Sequence, residues 1–310
     1  MPKSKIKAVI VGSINYDIAS YVADFPAPGE TLFADRYETA IGGKGLNQAV
    51  AAARIGADVS MIGCVGDDGF GAEACAHLKA NGVDVRHVRK DESARTGFAA
   101  IMVSRASENM ISVASGANLA LSVQDVEAAA ETIRSADILI TQSEVSTDVM
   151  AAALKIASQA GVPAVLNPAP AEKSVLPLLK YVDYVTPNEH EAEALTGHNP
   201  ESADGRSRVL AAFSKAGAKN VIITLGKAGV LVCKGDTSSR VDAFPVTAVD
   251  TTGAGDAFNG VFAVCIARGD SPDAAAKTAA AAAAISVTRP TADSAPSARE
   301  VKEFLAGQGA

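Results

Sequence analysis

Short unbroken apolar runs alternate with stretches of helical period along most of this chain. Ile6–Gly12 is continuous apolar sequence closed by glycine, the pattern of a strand buried on both faces. Lys44–Ile55 has helical period and a small-residue face, Ala49, Ala51, Ala52 and Ala53, that permits close packing. A strand at Val59–Val65 and a helix over Gly71–Asn81 follow, the helix stopped by Asn81-Gly82. Next come a strand at Ile138–Thr141 and a helix over Asp148–Ala160 closed by Gly161. Ala164–Leu166, Tyr184–Thr186 and Val221–Thr224 read as three more strand ends, each followed by polar or turn residues. Helices are predicted over Gly255–Arg268, Ser271–Val287 and Ser297–Leu305, and the alanine run Ala279–Ala284 reads as buried helix rather than a disordered tract. This alternation predicts an α/β fold, a central, mostly parallel sheet with helices on both faces.

Two segments break the rhythm. Ser20–Ala40 and Thr96–Ala114 lack helical period and carry β-formers such as Tyr21, Val22, Leu32, Phe33, Phe98, Ile101, Val103, Ile111 and Val113. They read as short antiparallel strands, within residues 15–40 and 96–114, that pair into a small β lid over the carboxyl ends of the main sheet. Surface hairpins without a gating role are the other reading. No linker or internal repeat divides the chain, so residues 1–310 are expected to form a single domain plus the lid.

Composition narrows the function classes. Hydrophobic content of 48% with 20% charged residues reads as a soluble globular chain with a full core. A net charge of −7 argues against nucleic acid or an anionic membrane as partner, so an anionic ligand needs a local cluster of donors. Cys64, Cys75, Cys233 and Cys265 show no C-x-x-C spacing and read as free thiols in a reducing compartment. No apolar leader follows Met1 and no run is long enough to span a bilayer, so the expected location is cytoplasmic.

Such a cluster of donors lies in Asp250-Thr-Thr-Gly-Ala-Gly-Asp256-Ala-Phe258, between an apparent strand and an apparent helix. The N–H groups of Gly253, Ala254 and Gly255 sit at the helix start, where unpaired donors and partial positive charge bind phosphate. A carboxylate there repels a resting anion, and the task that suits Asp256 is that of a general base. It would deprotonate an acceptor hydroxyl beside the phosphoryl group under attack. A Gly-rich turn capped by aspartate accounts for the same string.

Further polar clusters follow other strand ends, where open parallel sheets bind ligands. Gly12-Ser-Ile-Asn15-Tyr-Asp17 supplies an amide and a carboxylate suited to sugar hydroxyls, or an Asx turn. Gly42-Gly43-Lys44-Gly45-Leu46-Asn47-Gln48 opens a helix, either as a close backbone approach to a ligand or as a plain cap. Glu144 ends Gln142-Ser143-Glu144. In Pro187-Asn188-Glu189-His190-Glu191, oxygen donors for Mg²⁺ through water and a capping box fit equally well. Thr224-Leu-Gly226-Lys-Ala-Gly229 reads as a nucleotide-facing turn or a simple hairpin. The P-loop, the dinucleotide fingerprint, a hydrolase nucleophile elbow and a metal-ligand spacing among His77, His87, His190 and His198 are all missing.

On these residues the chain resembles the ribokinase-like family of carbohydrate kinases over essentially its full length. The most specific strings are Gly42–Asp67, with Gly-Gly-Lys-Gly-Leu-Asn-Gln and Gly63-Cys-Val-Gly-Asp67, and Val249–Gly260. Others are Gly12-Ser-Ile-Asn15, Phe25-Pro-Ala-Pro-Gly-Glu30, Ser115-Gly-Ala-Asn118, Leu166-Asn-Pro-Ala-Pro170 and Thr186-Pro-Asn-Glu189. The resemblance implies ATP-dependent phosphorylation of D-ribose at O5, with Asp256 as base and Gly253, Ala254 and Gly255 as the anion hole. It implies that Asn15, Asp17, Gly43, Lys44, Asn47 and Glu144 hold the sugar. Asn188, Thr224, Gly226, Gly229 and Gly255 would line the ATP site, with Glu191 positioning Mg²⁺ through water. A K⁺ site is implied at Asp250, Thr252, Ser286, Arg289 and Thr291, several of them through carbonyls, and a homodimer through the lid.

Two departures stand out. Thr291 replaces a usual glycine in the cation loop, with Ser294 shifted by one and Ala295 in the aligned place; Ala280 replaces an Asn or His near the adenine. Another pentose, a ketohexose or a nucleoside as acceptor is the alternative within the class, and a non-catalytic sugar-binding protein the alternative outside it.

Overall fold

The first apolar run forms β1 (Lys7–Val11), and the chain then leaves the main layer for β2 (Asn15–Val22) and β3 (Arg36–Gly42). The structure is a computed structural model and describes residues 5–106, 108–235, 237–290 and 293–308. The chain returns through α1 (Lys44–Arg54), β4 (Asp58–Gly66), α2 (Gly69–Ala80) and β5 (Val83–Asp91). A second excursion makes β6 (Gly97–Ser104) and β7 (Asn109–Ala114). Helices α3 (Val123–Ala128) and α4 (Ala130–Arg134) lead into β8 (Ile138–Gln142), α5 (Thr147–Ala160), β9 (Ala164–Asn167) and β10 (Tyr184–Val185). The rest comprises α6 (Glu189–Thr196), α7 (Ala203–Lys215), β11 (Asn220–Thr224), β12 (Val230–Lys234), β13 (Thr237–Val241), α8 (Ala254–Ala267), α9 (Pro272–Ser286) and α10 (Ala298–Gly307).

The large sheet has nine strands in the order β13-β12-β11-β10-β9-β8-β1-β4-β5. It is parallel from β5 through β11 and antiparallel at β12 and β13. Alternate residues of β1 serve two cores. Ala8 and Ile10 pack with α1, α8 and α9 on one face, while Val9 and Val11 pack with α5 and α7 on the other. Strand order reverses at β1: the chain builds toward β4 and β5, then returns to β8 on the other side. The crevice beyond β1 and β8 is therefore the switch point where open α/β sheets bind ligands.

The two irregular segments do form one small sheet, ordered β3-β2-β6-β7. Its outer pairs are antiparallel, and β2 and β6 join them in parallel. Phe70 at the start of α2 supports it, stacking on Tyr16 at 4.1 Å between ring centroids and facing Phe98 at 6.2 Å. Strand β5 is absent from the sequence prediction. Asp84, Arg86, Arg89 and Lys90 interrupt its apolar pattern, as suits a strand at a sheet edge. All four cysteines are free.

Candidate active site

The loops after β1 and β8 and the start of α1 converge at the switch point. Ser13 Oγ donates to the Glu144 carboxylate, which also accepts the Lys44 backbone N–H at 3.1 Å. Asn15 is buried, and its Oδ1 accepts from Asn118 Nδ2 at 2.7 Å, while Asn118 Oδ1 accepts the Ile14 N–H at 2.8 Å. Gly43 has φ 92°, a left-handed conformation that favours glycine, and a Cβ there would fall 2.8 Å from the Asn15 nitrogen. A Cβ at Gly42 would fall 2.2 Å from Asp17 Oδ2, so the glycine pair lets the α1 entrance lie directly against the backbone before Asn15 and the carboxylate of Asp17.

Charge is concentrated here. Burial, then Glu144, then Asp256 push the Asp17 carboxyl up to about 6. For Lys44, burial disfavours the ammonium, but Asp256, Glu144 and Glu191 outweigh it and raise its pKa. Asp17 Oδ1 and Asn47 Oδ1 are buried acceptors with no hydrogen-bond partner. Buried acceptors left open this way suit a ligand rich in hydroxyl donors.

Asp256 lies in the first turn of α8, 7% exposed. Asn47 Nδ2 donates to its Oδ2 at 3.0 Å and Gln48 Nε2 to its Oδ1 at 2.9 Å. Burial raises the pKa of this carboxyl; Lys44, Asn47 and Gln48 pull it back, and Glu144 adds to the rise. Gly253 caps the helix with φ 76°, and the Ala254 N–H reaches the Thr251 carbonyl only at 3.3 Å. A Cβ at Gly255 would meet nothing within 4 Å, so the space before this turn is open. Open backbone N–H groups at a helix start, with an ammonium beside them, can hold an anion, and the adjacent carboxylate can take a proton from its attacker.

A cleft of about 210 Å³ runs from Lys44, Gly253, Gly255 and Asp256 to Asn188, Glu191 and Thr224. Asn188 and Glu191 form a capping box on α6: the Glu191 N–H donates to Asn188 Oδ1 and the Asn188 N–H to Glu191 Oε2, both at 2.8 Å. They cap a helix and face the cleft together. Burial raises the Glu191 pKa against the pull of the Asn188 N–H and Lys44. Gly226 and Gly229 fall outside this lining. They belong to the turn between β11 and β12, where a Cβ at Gly229 would lie 2.1 Å from the Val241 carbonyl oxygen.

The residues expected around a monovalent cation are partly gathered. The strand expected before Asp250 is absent, since β13 stops at Val241 and residues 242–250 are irregular; the Val249 and Asp250 N–H groups donate to the Val287 carbonyl at 2.7 and 3.2 Å, joining this segment to the end of α9. Asp250 Oδ1 accepts the Thr252 N–H at 2.8 Å, and Ser294 Oγ donates to the buried Ser286 Oγ at 3.1 Å. The Arg289 guanidinium turns to Glu300 and to the Ser294 carbonyl, so only its backbone is available to a cation. Thr291 lies outside the described residues. Ala280 is a partly buried residue of α9 packed against the core.

Several site residues have no role legible in the sequence. Gln48, Gln142, Asn167, Thr186 and Asn259 form a buried polar layer around Asp256, of which Asn167, Thr186 and Asn259 also line the cleft, and Asn118 fixes Asn15. Gln142 and Asn167 are the last residues of the apolar strands β8 and β9, and Thr186 directly follows β10, which is the local signal that marks them.

A sequence model described as pfkB family carbohydrate kinase matches residues 5–299. The chain is 44% identical over 299 residues to the ribokinase of Haemophilus influenzae, covering 96% of this chain and 97% of the relative. It is 37% identical over 298 residues to a deoxyribokinase of Salmonella typhi, with 96% and 97% covered. Among solved structures, that of Arabidopsis thaliana ribokinase complexed with ribose and ATP is similar, with a TM-score of 0.89 at 32% identity, 97% of this chain and 99% of that one covered.

Proposed function

The chain belongs to the pfkB family of carbohydrate kinases, and from that premise we propose that it transfers the terminal phosphoryl group of ATP to O5 of D-ribose. The observation that carries this reading is the Asp256 carboxylate, gripped by Asn47 and Gln48 at the open first turn of α8. Asp256 accepts the proton of the ribose O5 hydroxyl as that oxygen attacks the phosphorus. The bond from phosphorus to the bridging oxygen breaks, ADP leaves, and ribose 5-phosphate forms. The N–H groups of Gly253, Ala254 and Gly255 face the charge that builds on the transferring group, and the Lys44 ammonium adds to their field.

Asp17 Oδ1 and Asn47 Oδ1 are the open acceptors for sugar hydroxyls, with Asn15, Gly43 and Glu144 completing the pocket. Asn15, through its contact to a 2-hydroxyl, favours ribose over 2-deoxyribose. ATP lies along the cleft past Asn188, Glu191 and Thr224 toward Gly226 and Gly229. Glu191 offers a half-buried carboxylate with the Asn188 amide beside it at the edge of the cleft. That suits Mg²⁺, which binds through few carboxylates and substrate phosphates and neutralises phosphate charge when bound. Oxygens of Asp250, Thr252, Ser286 and the Arg289 backbone suit K⁺, which would add positive charge beside the anion hole.

The small sheet acts as a lid in this reading, since Asn15 and Asp17 stand at the root of β2 where it leaves the main layer. A homodimer through its outer face and a cytoplasmic location, where ATP is supplied, complete the proposal. The test is ADP release with Mg-ATP against D-ribose, 2-deoxyribose, fructose and adenosine, with and without K⁺. Preferred turnover of ribose, stimulated by K⁺, is expected. Turnover of another acceptor alone would move the substrate, and none with any of the four, from a folded protein that binds ATP, would overturn the ribose reading in favour of an untested acceptor or a non-catalytic sugar-binding protein.

A further inference from the structure

A chain of buried polar side chains starts behind Asp256 at Gln142 and Gln48 and emerges at the cleft wall through Asn167, Thr186 and Asn259. Gln142 Nε2, at the end of β8, donates to Gln48 Oε1 at 2.7 Å. Gln48 Nε2 donates both to Asp256 Oδ1 at 2.9 Å and to Asn167 Oδ1 at 3.1 Å. Asn167 Nδ2 donates to the Thr186 carbonyl at 3.2 Å, and Thr186 Oγ1 donates to Asn259 Oδ1. Asn259 Nδ2 closes the circuit at the Gly255 carbonyl, 2.8 Å away. One network thus ties the carboxylate of Asp256 and the backbone of the anion hole to the ends of β8 and β9 and the residue after β10.

From this arrangement we propose that Gln48 is a positioning residue for phosphoryl transfer, fixing the Asp256 carboxylate from behind while touching neither sugar nor ATP. The proposal rests on the reading of Asp256 as base. Gln48 is 0% exposed and does not line the cleft. An ionised carboxylate only accepts, so the Gln48 amide must turn its nitrogen toward Asp256. Its second proton goes to Asn167 and its oxygen is held by Gln142, so a flipped amide would lose all three bonds and set oxygen against carboxylate. Gln142 bears the cost of this order: its own Oε1 is buried without a partner. Gly12 makes room for it, since a Cβ there would fall 2.0 Å from that oxygen.

Asn47 grips the other oxygen of Asp256, but its Oδ1 is a buried acceptor without a partner, proposed above for a sugar hydroxyl, so its two roles cannot be separated by mutation. Gln48 offers the separable grip. The charged groups that act on Asp256 are Lys44 from α1, Glu144 beyond β8, Asp17 from β2 and Glu191 from α6. Only Lys44 among them favours the ionised carboxylate, which leaves the amide donors to supply the rest.

The test compares kcat, the KM values for ribose and ATP, and the pH profile of kcat in wild type, Gln48→Met, Gln142→Met and Asp256→Asn. Gln48→Met keeps length but cannot donate. It is expected to lower kcat about tenfold or more and to move the acidic limb of the profile up by about one pH unit. Both KM values should stay within about threefold of wild type. Gln142→Met leaves Gln48 present but unfastened, and should shift the limb in the same direction by less. A folded Gln48→Met protein with wild-type kcat and acidic limb overturns the proposal. So does a loss confined to KM. If Gln48→Met does not fold, Gln142→Met decides alone, and a wild-type profile there overturns the proposal. Near-normal turnover by Asp256→Asn would bring down the base and this proposal together. An inactive Asp256→Asn beside indifferent glutamine variants would remove only the role of Gln48.

Discussion

Gly260 on α8 lies against the backbone of Gln48 on α1: a Cβ at residue 260 would meet the Gln48 carbonyl oxygen at 2.6 Å and the Ala51 Cβ at 2.7 Å. Asp256 stands one turn before Gly260 on the same face of α8. The close crossing of the two helices is what brings Asn47 and Gln48 within hydrogen-bond reach of the carboxylate. Gly260→Ala is expected to push the helices apart at a cost of about 1–3 kcal/mol in stability. The same shift should reduce kcat by up to about a hundredfold. Urea denaturation beside steady-state kinetics checks both effects, and unchanged values for both would contradict the packing argument.

Asp256→Asn keeps the size of the side chain and removes its basicity. Turnover should fall by about a hundredfold to ten-thousandfold. Calorimetric titration should still detect ATP and ribose, because the rest of the pocket is untouched. The substitution also sets an N–H against one of the two donors, Asn47 or Gln48, so no large gain in stability is expected. Loss of ligand binding in step with turnover would argue that Asp256 binds rather than reacts.

Asp17 predicts a dependence on pH. Burial raises its carboxyl from 3.8 to about 6 in the folded chain, so ionising it there costs stability. That cost is full above about 6, shrinks as pH falls and is gone below 3.8. Asp17→Asn should therefore raise the melting temperature at pH 8 and lose that advantage toward pH 3.8. In the unsubstituted chain, KM for ribose should rise as pH drops through about 6, since the carboxylate is the stronger acceptor for a hydroxyl. A Tm gain of equal size at both ends of the range would refute the assignment.

Strand β7 exposes every residue, with Met110 at 51%, Ile111 at 57% and Val113 at 55%. An exposed apolar edge strand is a natural partner for a second copy. Sedimentation equilibrium should show a dimer, and the double substitution Ile111→Lys with Val113→Lys should yield monomer. A monomeric unsubstituted chain would remove the dimer proposal.

The rim of the parallel sheet was legible because buried strands read as apolar runs that stop at polar residues. Ile138–Thr141, Ala164–Leu166 and Val221–Thr224 lie within a residue or two of β8, β9 and β11. Asp256 was legible for a similar reason, since glycines and carboxylate stand together in one short string. Strand β5 was missed because charges mask its period, and the parallel pairing of β2 with β6 has no local mark at all. Arg289 shows the limit for a single side chain. Its place just after α9 is readable, but the turn of its guanidinium to Glu300 depends on where α10 packs.

The sequence by itself determined the α/β layering, the rim on which the site stands, and the carboxylate at the start of α8. These follow from hydrophobic period, glycine conformation and helix-end donors, all of which act over a few residues. Only the tertiary structure decided that Gln48, Gln142, Asn167 and Thr186 share one buried network with Asp256. A buried amide must find partners, and which partners it finds depends on strand order and on the α1–α8 contact at Gly260, between residues 208 positions apart in the case of Gln48 and Asp256.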